Sequence, residues 1–116
     1  MTCSNQDSMA DLCQWFSSMN AEKLAQSVEQ DDQPAADLSP QLQAMWLARK
    51  GRWHEAHDLC QEIPSPAGPW IHAWLHRQEG DYGNACYWYA QAGKPAPKSD
   101  ASLDQEWIEI TNELIS

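Results

Sequence analysis

Four histidines, His54, His57, His72 and His76, fall in the middle third of the chain. His72 and His76 are four residues apart, so on a helix both imidazoles share one face, and Glu79 continues that face three residues on. Two imidazoles and a carboxylate on adjacent turns suit zinc or another transition metal, and antiparallel packing of the preceding helix would bring His57 in as a fourth ligand. The spacing is not the HExxH of a metalloprotease, because residue 73 is Ala and the glutamate follows the second histidine. His54 and His57 are three apart with no further ligand in their own segment. The commoner fate of such histidines is a hydrogen bond across a helix interface. The sequence therefore predicts no bound cofactor, with a zinc or other transition-metal site at His57, His72, His76 and Glu79 as the alternative.

Catalytic patterns are weaker. Cys60 lies three residues after His57, which makes the two neighbours on a helix, but nucleophilic catalysis needs a thiol activated by a base, and a cysteine at a helix-packing position is usually buried and inert. No GxSxG, GK[ST] or GxGxxG occurs. Asp31-Asp32 sits in a stretch that reads as a solvated loop. The expectation is that the chain is not an enzyme.

The elements that must position these residues are all helical. Met9, Leu12, Cys13, Phe16 and Met19 recur at helical spacing, and Ala21, Leu24, Ala25 and Val28 continue the period after Asn20, a candidate cap. Gln30 to Leu38 reads as an acidic loop. Ser39-Pro40 supplies a cap and a proline at the first helical position of a helix that stops at Gly51. Further helices are predicted over 53–63, 68–79 and 82–92, each closed by glycine or proline. Leu103, Trp107, Ile110 and Leu114 line a last helix with Ser102 as its cap. Sustained alternation of period two is absent, so the predicted class is all-α with about seven helices. In the run Tyr87-Trp88-Tyr89 the three side chains point in different directions, so Tyr89 is predicted in the core and Tyr87 or Trp88 against the last helix.

An internal repeat organises the centre. Lys50-Gly51-Arg52-Trp53-His54-Glu55-Ala56 aligns with Glu79-Gly80-Asp81-Tyr82-Gly83-Asn84-Ala85. In each copy glycine ends one helix in the left-handed conformation, an aromatic plugs the corner, and alanine lets the next helix approach closely. Such hairpins complete their cores by stacking on neighbours. The pattern resembles the tetratricopeptide repeat: the second copy carries its signature at Gly80, Asp81, Tyr82, Ala85, Tyr89, Ala92 and Pro97. The first carries it at Gly51, Trp53 and Ala56, with Cys60 and Ile63 in the later slots. The string from His72 to Tyr89 is also similar to uncharacterised bacterial proteins, which implies no activity.

The resemblance covers residues 40–97 and implies a short right-handed solenoid of antiparallel hairpins that binds a protein or peptide. It places Met45, Trp70, Trp74 and Arg77 on the groove stripe, an aromatic surface suited to an apolar peptide or helix. The competing expectation is that the terminal helices cover both tryptophans, with Trp15 and Trp107 as the covering residues. The resemblance also places His72 and His76 at packed slots. A non-enzymatic interaction module is the function these residues imply.

Charge narrows the partners. The 116 residues hold 7 basic and 17 acidic side chains, a net charge of -10. The excess belongs to the flanks: residues 1–40 carry seven acids against the single Lys23, and residues 99–116 carry five acids and no base, while the centre is near neutral. Such a balance argues against nucleic acid or an anionic membrane as the main partner, since phosphate binding needs clustered Lys and Arg. The first residues are polar and acidic, unlike a signal peptide, and four cysteines without CxxC spacing read as reduced thiols of a cytoplasmic protein. A single domain fits the length, divided into acidic N-terminal helices and loop (1–38), two hairpins (39–97) and an acidic capping helix (98–116). The sequence leaves the oligomeric state open.

Overall fold

The structure, a computed structural model, describes residues 19–115. Within them the chain forms six helices: α1 (Ala21–Gln30), α2 (Pro40–Lys50), α3 (Trp53–Cys60), α4 (Ala67–Gln78), α5 (Tyr82–Ala92) and α6 (Leu103–Ile115). No strand occurs among the described residues. The helix expected over Met9–Met19, and Trp15 with it, lies outside them but for Met19.

Each predicted cap does its work. Asn20 accepts a hydrogen bond from the Lys23 amide at 3.0 Å, Ser39 from Leu42 at 3.4 Å ahead of Pro40, and Ser102 from Gln105 at 3.0 Å. These side-chain oxygens satisfy amides that have no carbonyl partner in the first turn. Gly51 and Gly80 close α2 and α4 with φ of +90° and +93°, a backbone conformation that L-residues avoid. α3 is shorter than predicted: it ends at Cys60 and runs through a turn to Ile63. Gly68 meets that turn so closely that a Cβ there would lie 2.0 Å from the Ile63 carbonyl oxygen.

Helices α2–α3 and α4–α5 form two hairpins; α6 packs on α2 and α4, and α1 packs on α2 and α6. The core is stitched by tryptophans, whose large apolar rings bury well only if the indole N–H finds an acceptor. Trp46 donates to Ser27 Oγ at 3.1 Å, Trp53 to the Leu75 carbonyl at 2.9 Å, Trp74 to the Leu103 carbonyl at 3.0 Å and Trp107 to the Met45 carbonyl at 2.9 Å. Each bond joins two different elements. A buried polar group adds to this on α6: Glu106 accepts from Arg77 and from the Tyr89 hydroxyl, while Arg77 also donates to the Ala101 carbonyl. Burial together with Glu106 holds the Tyr89 phenol in its protonated form.

Candidate metal centre

Helices α3 and α4 run side by side after a short connection, and the hairpin geometry sets the histidines against each other. His72 and His76 lie one turn apart on α4, both buried, at 5 % and 7 % exposed. His57 faces them from α3 and is half-buried. Ring centroids stand 4.4 Å apart for His57 and His72, 4.9 Å for His72 and His76, and 5.6 Å for His57 and His76. One ring nitrogen from each of the three lies within 4.8 Å of the others. His54 is exposed and points its ring edge against Trp53, outside this group.

Glu79 stands apart from the ligand position expected for it. Its Oε2 accepts a hydrogen bond from Nδ1 of His76 at 2.7 Å, which leaves Nε2 as the free nitrogen of that ring. Carboxylates that hold the second nitrogen of a ligating imidazole fix its tautomer and its orientation. Glu79 also makes, with His76 and the exposed Asp81, a separate group of possible donors.

Two tryptophans wall the cluster. Trp53 lies flat on His57, centroid to centroid 4.7 Å at 14°, and Trp88 lies flat on His72 at 3.9 Å and 11°. Of Tyr87 and Trp88, one of which was expected against the last helix, the α4–α5 hairpin turns Trp88 onto α4 and leaves Tyr87 56 % exposed. Trp53 is four residues before His57, so its share in the site was readable from helical spacing; nothing in the spacing announced Trp88. Burial pushes the imidazole of His72 down to about 4, helped by its two histidine neighbours. Burial also lowers His57, with His76 adding to the effect and Asp58 and Glu79 opposing it. Both rings are thus held neutral, the form that binds metal.

Cys60 makes no catalytic pair with His57. Its thiol donates to the backbone carbonyl of His57 at 3.2 Å, and burial pushes it up to about 12, far from a thiolate.

The aromatic groove expected from Met45, Trp70, Trp74 and Arg77 is not formed. Met45, Trp74 and Arg77 are buried, the last two bonded to the α6 segment, because α6 lies across the stripe that an open solenoid would present. Trp70 alone of the four remains half-exposed. Trp107, expected to cover the two tryptophans, bonds to the Met45 carbonyl, and the contact made by Trp74 is with the Leu103 carbonyl. No helix among the described residues is long and apolar enough to cross a membrane. Comparison with known proteins finds no matching family model, no matching curated protein and no matching solved structure.

Proposed function

We propose that this chain is a metal-binding helical protein in which His57, His72 and His76 take zinc or another transition-metal ion. The observation that carries the reading is the convergence of three imidazoles from two helices, with donor nitrogens within 4.8 Å of one another. Tetrahedral zinc with bonds of about 2.0–2.1 Å sets its nitrogens roughly 3.3 Å apart, so side-chain rotation of about 1.5 Å at most closes the site. A nitrogen-only donor set suits Zn, Cu or Ni rather than Mg or Ca. The competing idea, histidines hydrogen-bonded across the interface, is the weaker one: among the described residues neither His57 nor His72 has a ring hydrogen bond, and His76 uses Glu79 on its own helix end.

The scaffold fits a tetratricopeptide-like pair of hairpins. Left-handed Gly51 and Gly80 at the two corners and buried Ala56 and Ala85 at equivalent positions support that reading. The free thiols of Cys60 and Cys86 fit a reducing, cytoplasmic setting.

The test is metal analysis after zinc loading and dialysis, with melting curves in the presence and absence of chelator. About one equivalent should be retained, and ligand at a hundred times its Kd should add about 2.7 kcal/mol to stability. His72→Ala and His76→Ala should each lose the metal while remaining helical by circular dichroism. Zinc-free protein with an unchanged melt would sink the proposal.

A further inference from the structure

Trp70 borders a hollow of about 320 Å³ on the opposite side of α4 from the histidines, between the 94–102 segment and α6. That volume reaches the lower end of small-ligand pockets. The ammonium of Lys94 sits 4.3 Å from the centre of the Trp70 ring, so the ring face already holds a cation, one supplied by the chain itself. Glu106 and Glu109 line the same hollow, and the segment they belong to carries five acids without a base. Glu106 is committed to Arg77 and Tyr89, whereas Glu109 meets only the amide of Gln105 at 3.3 Å. An aromatic face beside a carboxylate, inside an apolar hollow of this size, is the arrangement that recognises organic ammonium groups.

We infer that this hollow binds an organic ammonium cation, with Lys94 as the intramolecular occupant that the ligand displaces from Trp70. The ammonium comes either from a small free amine or from the side chain of a lysine on a partner protein. The inference is independent of the metal site: it uses none of the histidines.

The sign of the Lys94 effect makes it testable. A basic residue in a binding site for an anion strengthens binding, but here removal of Lys94 vacates the ring face. Full-length ¹⁵N-labelled protein is titrated with tetramethylammonium, with 3,3-dimethyl-1-butanol, whose tert-butyl head is an uncharged match for the trimethylammonium shape, and with a short peptide carrying one trimethyl-lysine. Tetramethylammonium should shift the Trp70 indole resonance, and the alcohol should not. Lys94→Ala should bind the cation about two- to fivefold more tightly, the range a single exposed cation–π contact corresponds to. Trp70→Leu should abolish the response; Glu109→Gln, which leaves the ring in place, should weaken it. A peptide that binds more tightly than tetramethylammonium identifies the source as a protein lysine, and one that binds no better identifies a free amine. Equal binding of the alcohol, unchanged or weaker binding in Lys94→Ala, or silence in both wild type and Lys94→Ala overturns the inference.

Discussion

Glu79 holds Nδ1 of His76 at 2.7 Å from the exposed end of α4, and this contact decides which nitrogen the ring offers. Glu79→Gln keeps a side chain of the same length but replaces a charged acceptor with an amide that can turn either its oxygen or its NH₂ to the ring. Metal affinity should fall about 10- to 100-fold, the usual effect of losing an outer carboxylate, with thermal stability of the metal-free protein nearly unchanged. Competition against a chromophoric chelator measures it; an unchanged affinity would mean that Glu79 does not orient the ligand. The i, i+4 pair His72 and His76 was legible in the sequence because helical spacing fixes which side chains share a face. Glu79 meets His76 at the i, i+3 spacing that periodicity also gives, but periodicity did not show that its carboxylate would take Nδ1 of that ring. His57 lay between these cases: its helix was predictable, but its approach depends on how α3 packs on α4.

Helix α6 shows what an element adds to such local rules. Its buried face sets Trp107 and Ile110 against the core, as periodicity predicted, with Leu103 and Leu114 only partly buried and Glu106 and Thr111 buried beside them. What periodicity could not supply is where the face lands, across the stripe of Met45, Trp74 and Arg77. The same face carries Thr111, whose hydroxyl is buried and finds no hydrogen-bond partner among the described residues. A buried donor left unpaired costs about 1–3 kcal/mol. Thr111→Val is close to isosteric and removes the hydroxyl, so it should stabilise the protein by roughly 1 kcal/mol, read as a higher urea midpoint with an unaltered slope. Destabilisation would show that the hydroxyl is satisfied in solution. Trp107→Ala on the same face should act in the opposite sense and far more strongly, because it removes one of the two largest fully buried side chains and its bond to α2.

Across the whole molecule the uneven charge becomes a set of tethers. Arg49 pairs with Asp104 at 2.7 Å and lies over the Trp107 ring, Arg77 pairs with Glu106, and Lys50 and Arg52 donate to carbonyls of the 28–32 stretch. Four of the six central bases thus hold the acidic flanks against the hairpins. The net -10 nevertheless remains, and acid acts on it and on the histidines in opposite directions. Lowering the pH toward the pI of about 4.5 reduces self-repulsion, which favours the compact state. His72 works the other way. Its imidazole titrates near 6.5 when unfolded and near 4 when folded, so between these values the unfolded chain binds a proton that the native protein does not. Stability from this group is therefore complete above about 6.5 and is lost progressively as the pH falls toward 4, and lowered His57 adds in the same sense. The two contributions separate by comparison with His72→Gln, which leaves net charge at neutral pH unchanged and removes the titrating ring. In chelator, urea midpoints at pH 7.5, 6.0 and 5.0 should fall more steeply for wild type than for His72→Gln, because only wild type must keep a buried imidazole neutral against acid. Parallel pH profiles would show that the ring reaches water and takes its proton in the native state, which would also remove one reason to expect metal there.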